Sequence, residues 1–415
     1  MDAQMTDTIL ASLSAEMDRA ARREPPTEIG EVLTVPNGRY IDSEFANLEQ
    51  RHVWGKCWLY AGFDTEVPDV GSYKVIDRLP GAGVIIVRGK DNRIRAFYDT
   101  CRHRGGSVTG HTACGKAKMF SCTFHGWSYD LEGRLRNVPL EYDFPGLDKS
   151  EIGLRELRCE QLGSMIFVNK DDHAPPLQEW LGPLWSDFAD LNMTGRTPFA
   201  SHTYRMRCNW KAAHEAFVES YHLPSTHAKT VAGYVEYQAS HILLYPNGHS
   251  AMYNLIRHDD VANERNPHAL EGTEETRINR ETIRQYTIFP NIQCTTAENE
   301  FAFVMLWPVD PAHVVIDVIY TGPPDYDPDS LGAKQLVGVY EATVAEDVDN
   351  IEAVQRSFES EVNPFLRLSW MERRAYWLNE AIDRVIGEGA ISPELRVRPL
   401  LQQYLVDPYT ELVQT

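Results

Sequence analysis

Two short stretches decide how this chain is read: Cys101-Arg102-His103-Arg104-Gly105-Gly106 and Cys122-Thr123-Phe124-His125-Gly126-Trp127-Ser128-Tyr129-Asp130. Eighteen residues separate His103 from Cys122. Each stretch presents one thiolate and one imidazole, as Cys-x-His and as Cys-x-x-His. Folded together they offer two sulfur and two nitrogen ligands. A [2Fe–2S] centre with two cysteines on one iron and two histidines on the other needs this set. The competing reading is a Cys2His2 zinc site, but zinc modules pair cysteine with cysteine and histidine with histidine at close spacing. Each loop here mixes the two types, which favours iron and sulfur. The glycines that follow, Gly105-Gly106 and Gly126, permit tight turns and let backbone N–H groups approach the cluster sulfurs. Cys114, between the loops, has no Cys or His at ligand spacing and reads as an ordinary loop cysteine.

Around these loops the chain is a run of short strands punctuated by glycine. Trp58–Ala61, Tyr73–Ile76, Val84–Arg88, Ile94–Tyr98, Met119–Cys122, Trp127–Tyr129 and Met165–Asn169 are the candidates, and they suggest a small all-β domain. After Asp171 the texture changes. Leu177–Leu191 reads as a helix, His202–Arg207 as a strand and Trp210–His222 as a helix capped by Asn209. Longer strands follow at His241–Leu244, Arg284–Phe289, Phe301–Trp307 and Val314–Tyr320, and two helices, about 331–360 and 369–387, close the chain. Strands grouped between helices without βαβ alternation indicate an α+β domain with a mostly antiparallel sheet. The expected division is an N-terminal arm at 1–45 packing on the catalytic domain, an iron–sulfur domain at 46–170 and a catalytic domain at 171–415. Pro323-Pro324 to Asp329 reads as an acidic loop, and Asp259–Arg280 is charged enough to be mobile.

Composition narrows the function. The 415 residues carry a formal charge of −20, which disfavours nucleic acid or an anionic membrane as the main partner. Seven cysteines, an odd number in a large chain, argue against a disulfide framework. Met1 to Ser14 lacks a basic region followed by an apolar run, so no secretory signal is evident. The strongest apolar stretches, Gly83–Val87 and Phe301–Trp307, are strand-sized and too short to span a bilayer. Together these features point to a reducing, cytoplasmic compartment.

The second constellation lies after the β-rich part. In a continuous helix from Trp210, Glu215, Glu219 and His222 would share one face at i, i+4 and i+7. His227 follows five positions after His222, about 140° round an ideal helix. Pro224 between them should end the helix and let His227 swing back toward the same ligand position. The third member comes from periodicity further on. Val344, Ile351, Val354 and Phe358 form an apolar stripe, and Asp347 lies on it. A carboxylate on a buried face is costly unless paired or bound to metal. Glu346, Asp349 and Glu352 fall off that stripe and read as solvated. Two imidazoles and one carboxylate make the facial triad of non-haem Fe(II) oxygenases, with positions left open for dioxygen.

The run from Cys101 to Gly105 and that from Cys122 to Asp130 resemble the Rieske domain of aromatic ring-hydroxylating oxygenases, catalytic (alpha) subunit. Asn209-Trp210-Lys211 through Glu219-x-Tyr221-His222-x4-His227 resembles the mononuclear iron motif of the same family. Asp347-x-x-Asn350 with Gln355 resembles the segment that carries its aspartate ligand. The resemblance covers about residues 45–360. It implies a Rieske [2Fe–2S] cluster on Cys101, His103, Cys122 and His125, and a mononuclear Fe(II) on His222, His227 and Asp347. The implied catalytic domain is of helix-grip type, its antiparallel sheet covered by helices. The resemblance further implies that Glu219 links the Rieske histidine of one subunit to the iron site of the next, where most members have Asp. It also implies a ring-shaped homotrimer, with or without a β subunit, and electrons from a ferredoxin or flavin reductase. Phe217, Val218 and Val337 match positions that often line the substrate pocket. The implied reaction is hydroxylation or cis-dihydroxylation of an apolar, aromatic substrate. The alternatives are a monooxygenase performing oxidative demethylation or amine oxidation, and an electron-transfer protein without oxygenase activity. Local charge adds a docking patch for an acidic donor at Arg102, Arg104, Lys116, Lys118, Arg134 and Arg136, diluted by Asp130 and Glu132.

Overall fold

Val84–Arg88 and Ile94–Tyr98 are β-branched and aromatic runs separated by a Gly89-to-Arg93 turn, and they pair as an antiparallel hairpin. Asn92 takes a left-handed φ of 64° in that turn, which asparagine tolerates better than most residues. A computed structural model describes residues 3–79, 81, 83–189, 191–257, 277–296, 300–360 and 362–406. Most of the charged stretch Asp259–Arg280 therefore lies outside the described residues. The chain forms two compact units, one of Trp54–Trp180 with Met193–Thr197, the other of Met1–Val53, Leu181–Asn192 and Pro198–Thr415.

In the smaller unit the hairpin sits inside a seven-stranded sheet. Its order is Leu59–Phe63, Met165–Asn169, Glu156–Leu162, Ile94–Tyr98, Val84–Arg88, Ser72–Ile76 and Cys114–Lys116. A separate three-stranded sheet, Phe120–Ser121, Ser128–Tyr129 and Leu135–Asn137, carries the second Cys/His loop between its first two strands. Tyr73, Ile85, Val87 and Phe97 from the larger sheet pack with Phe120, Trp127, Tyr129 and Leu135 from the smaller one. Cys101 and Cys122 belong to that same core. Cys114 lies exposed at the edge of the larger sheet.

The larger unit holds another seven-stranded sheet. Its order is Thr197–Met206, His313–Gly322, Phe301–Asp310, Ile292–Thr296, Thr282–Ile288, Ser250–Ile256 and Val235–Leu244, and every pairing described within it is antiparallel. The helix Leu331–Glu359 runs for 29 residues, started by Ser330, whose side chain accepts from the Ala333 N–H. The short helix Trp210–Ala216 packs against both this long helix and the strand Phe301–Asp310. The expected helix Leu177–Leu191 is instead two short ones, Leu177–Leu181 and Leu184–Ala189. Gly182, at φ 56°, and Pro183 break it, the first by leaving the helical region and the second by lacking an N–H.

The N-terminal segment is built into the larger unit. Ala3–Arg22 is a helix whose Ile9 and Leu13 are fully buried, and it packs on the strand Val235–Leu244. Leu33–Pro36 pairs with Phe365–Leu368. Arg39 Nη1 reaches Asp383 at 2.6 Å with both side chains buried, and Arg39 Nε donates to Asn379 Oδ1. Lys211 Nζ lies 2.8 Å from Glu49 Oε1 in an equally buried pair. No helix among the described residues is long and apolar enough to cross a membrane.

Candidate metal centres

The two Cys/His loops come together within the smaller unit. Each is closed by backbone hydrogen bonds that start at its cysteine: the Gly105 N–H donates to the Cys101 carbonyl, and the Gly126 N–H to the Cys122 carbonyl. Gly105 and Gly126 both take positive φ, 81° and 73°, a conformation that side chains disfavour. At Gly106 a Cβ would stand 3.1 Å from Cys122 Sγ, so the backbone passes where any side chain would crowd the thiol. Both thiols are buried, and the Tyr129 hydroxyl lies 3.2 Å from Cys101 Sγ. The same hydroxyl accepts from the Arg102 N–H. His103 and His125 meet edge to face with ring centroids 4.6 Å apart, and Trp127 stacks on His103. His103 Nδ1 is buried with no hydrogen-bond partner among the described residues. An orphaned ring nitrogen beside a second imidazole and two buried thiols fits a cluster that takes two nitrogen and two sulfur ligands.

The second centre is assembled from distant segments of the larger unit. His222, His227 and Asp347 each offer one ligand atom, and these atoms all lie within 4.8 Å of one another. His227 Nε2 is 3.1 Å and His222 Nε2 3.9 Å from Asp347 Oδ1. Asp347 is buried, as expected for a carboxylate on the apolar stripe, and Val344, Ile351 and Phe358 are buried with it. Val354 departs from that expectation and is 43% exposed.

The route to this geometry differs from the expected continuous helix. Trp210–Ala216 ends early, and Glu219 and His222 lie beyond it. The three acidic and imidazole groups therefore do not form one stripe. Glu215 turns inward, where its carboxylate accepts from Tyr40 Oη at 2.5 Å and from Asn379 Nδ2 at 3.0 Å. Pro224 does not end a helix. It sits in the first turn of a new one, Leu223–Thr226, where its missing N–H costs nothing, and this turn carries the chain from His222 to His227.

Each imidazole is held by its other nitrogen. His222 Nδ1 bonds to the Glu219 carboxylate, which also accepts from the backbone N–H groups of Tyr221 and His222. His227 Nδ1 donates to Glu346 Oε2 at 2.8 Å, and Thr230 Oγ1 donates to the same oxygen. Glu346 is therefore not a solvated residue of the long helix. Metal-binding imidazoles commonly pass their second N–H to a carboxylate, which fixes the tautomer and points the free nitrogen. Burial alone would lower both histidines, but Glu219 with Asp347 for His222, and Asp347 with Glu346 for His227, outweigh it and raise them. Two tethered imidazoles and one buried carboxylate fit a divalent iron with an open side.

Beside this cluster lies a cleft of about 200 Å³, whose lining includes Glu215, Glu219, His222, Asp347, Asn350 and Glu372. Phe217, Val218 and Val337 do not line it. Val218 is buried and its carbonyl accepts from Arg374 Nη1. In the smaller unit, part of the basic patch is tied up. The buried Asp130 carboxylate accepts from Arg134 Nε at 3.0 Å and Arg136 Nε at 2.7 Å. Burial works to raise Asp130, and the Arg134 N–H and the two guanidinium groups more than reverse it. Lys116 pairs with Asp69 at 2.9 Å.

A β-sheet unit with two Cys/His loops, in one chain with a unit bearing two histidines and an aspartate, fits the class of proteins with two separate metal centres. Comparison with known proteins narrows this further. Residues 57–147 match the family model of the Rieske [2Fe–2S] domain, and residues 194–388 match that of the ring hydroxylating alpha subunit catalytic domain. The chain is 36% identical over 195 residues to the chlorobenzene dioxygenase subunit alpha of Cupriavidus sp. (strain PS12). That match covers 45% of this chain and 42% of the relative, less than half of its length. Among solved structures, a quaternary ammonium Rieske monooxygenase, CntA, superposes with a TM-score of 0.74 at 19% identity, covering 85% of this chain and 95% of that one. Naphthalene 1,2-dioxygenase with indole bound superposes at 0.71 and 21% identity, covering 92% and 97%. These two likenesses establish the fold. Along its length the chain thus matches, in order, a Rieske [2Fe–2S] domain and the catalytic domain of a ring hydroxylating alpha subunit.

Proposed function

We propose that this chain is the oxygenase component of a Rieske non-haem iron system, hydroxylating or cis-dihydroxylating an apolar, aromatic substrate. The observation that carries the reading is the convergence of His222, His227 and Asp347 within 4.8 Å, in a chain that also brings Cys101, Cys122, His103 and His125 together. When bound, the cluster on the second set supplies single electrons and the ferrous ion on the first supplies dioxygen activation. The protein's own part is positional. Glu219 and Glu346 hold the two imidazoles by Nδ1 and leave each Nε2 turned toward Asp347. The same Glu219 is the residue we assign to the link between subunits, because its carboxylate both touches His222 and lines the open cleft.

A ferredoxin or flavin reductase is the electron donor in this reading, the assembly is a homotrimer with or without a β subunit, and the compartment is the reducing cytoplasm. The seven cysteines, all free thiols, suit that compartment. For the donor surface, Arg104 and Lys118 stand outside the Asp130 clamp. Reversing both to Glu slows reduction of the cluster by the donor at low salt, and an unchanged rate there sinks the docking surface.

The test of the whole reading is stoichiometry and labelled oxygen. The loaded chain should hold about three irons, two in the cluster and one alone, and consume dioxygen only with substrate. Both atoms of labelled dioxygen in the product mean dihydroxylation; one means a monooxygenase, the class of the CntA neighbour. About two irons and no substrate-dependent uptake would return the chain to electron transfer alone.

A further inference from the structure

The sheet of the larger unit carries one row of directly opposed residues that is not wholly apolar. Met252 pairs with Gln285, Gln285 with Thr295, Thr295 with Ala302, and Ala302 with Tyr320. Directly opposed residues of an antiparallel sheet point to the same face, so Gln285, Thr295 and Tyr320 share one surface with the small Ala302 between the last two. That surface is the one the long helix covers, because Tyr340 of Leu331–Glu359 bonds to Thr295 and its ring packs edge-on to Tyr320 at 5.9 Å. Tyr204, from the neighbouring edge strand, lies within electrostatic reach of Tyr320 and Tyr340. Tyr234, seven residues after His227, lies within reach of Tyr340.

Three polar atoms of this group have no hydrogen-bond partner among the described residues: Tyr320 Oη, Tyr204 Oη and Gln285 Oε1, all buried. Tyr320 itself is fully buried. Native interiors rarely leave such groups unpaired. Burial raises the hydroxyls of Tyr320, Tyr340 and Tyr204 above the ordinary phenol range, so they stay protonated and neutral. The titratable neighbours that bear on Tyr320 are Tyr340, Tyr204 and Glu341. No cation is among them, and His202, whose ring lies against Tyr204, is paired with Glu341.

The group also stands close to the proposed iron. Tyr340 and Asp347 are seven residues apart on one helix, two turns and about 10 Å along its axis, on nearly the same face. Asp347 is close enough to act electrostatically on the Tyr340 hydroxyl.

We propose that Tyr320 and Tyr204 form a binding subsite for a neutral hydroxyl or carbonyl oxygen on an otherwise apolar substrate. A tyrosine hydroxyl donates to that oxygen. The chain then prefers oxygen-bearing aromatic compounds to bare hydrocarbons. This rests on the oxygenase reading for its location beside Asp347, although the subsite is defined by its own residues.

The experiment measures equilibrium binding to the anaerobic, iron-loaded chain for matched pairs: 2-naphthol with naphthalene, and 9-fluorenone with fluorene. The oxygen-bearing member of at least one pair should bind about fivefold or more tightly, the worth of one net hydrogen bond. Tyr320→Phe should erase that preference, and Tyr204→Phe should reduce it. Thermal melting of both variants checks folding, and a Tyr320→Phe chain that melts well below wild type marks the hydroxyl as structural and overturns the subsite. Equal binding within both pairs, no binding by any of the four compounds, or a preference that survives Tyr320→Phe also overturns it. Iron content separates the two readings. Loss of the preference in Tyr320→Phe together with about two irons per chain keeps the subsite and removes the oxygenase.

Discussion

The two centres of this molecule are built in opposite ways. The proposed ligand set of the smaller unit comes from two loops that lie within 25 residues of sequence, from Cys101 to His125. Each loop closes on itself through its own backbone, and the paired thiols sit in a core shared with Tyr129 and Trp127. The set in the larger unit joins two histidines that flank the one-turn helix Leu223–Thr226 to an aspartate 120 positions past His227 on another element. There the orientation of each imidazole depends on a carboxylate, one local (Glu219) and one distant (Glu346). A compact site can be specified by the residues that compose it. A dispersed one must also be specified by what packs beneath it.

The largest test of that contrast is separability. Asp347→Ala should abolish substrate-dependent oxygen uptake and drop iron from about three to about two per chain, with the visible and EPR signals of the cluster unchanged. A cluster signal that disappears with it would show that the centres are not independent. Next comes the foundation of the dispersed site. Lys211, in the short helix that packs on the long one, is paired with Glu49 inside the protein. Lys211→Met leaves the Glu49 carboxylate buried without its cation and should cost about 3–5 kcal/mol by denaturant unfolding. A loss under about 1 kcal/mol would mean that the pair contributes as little as an exposed one.

A smaller effect is expected at Glu346. Glu346→Gln retains size but weakens the grip on His227 Nδ1, and iron affinity should fall about 10–100-fold. An unchanged affinity, measured by competition with a chelator, would make Glu346 a bystander. The smallest effect is a pH profile. Burial pushes Glu215 up to about 7 against the hydrogen bonds of Tyr40 and Asn379. Between about pH 4.5 and 7 the folded chain then keeps a proton that the unfolded chain has released, so stability falls as pH rises through that window. Glu215→Gln has no such proton, and its melting temperature should fall less across the window than that of the wild type. Parallel profiles would show that Glu215 is ionised throughout.

Legibility followed the same contrast. Cys101, His103, Cys122 and His125 could be grouped from spacing because ligand chemistry and chain proximity agree. Asp347 could be singled out because a carboxylate interrupts an apolar stripe. Glu346, its neighbour in sequence, lies about 100° away on the helix and read as solvated. Its partner His227 arrives from a segment that helix periodicity cannot place. The early end of the helix at Ala216 was also hidden, since no glycine or proline lies between Asn209 and His222 to signal it. Nor does helix periodicity show that Glu215, near that end, turns inward to Tyr40 and Asn379. By contrast, Gly182-Pro183 did carry a local signal for the break between the two short helices. Strand positions around Val84–Arg88 and Phe301–Trp307 were readable because β-branched and aromatic residues dominate them.

The helix Leu331–Glu359 acts as a ruler as well as a wall. Tyr340, Glu346, Asp347, Ile351 and Gln355 are all threaded on one rod, and their angular order is fixed by counting residues. Substitution can change what any mark on the ruler does, but removing a single residue between Tyr340 and Asp347 would rotate one end against the other by about 100°. The aspartate would then face away from both histidines. This stretch can therefore vary in chemistry while remaining intolerant of any change in length.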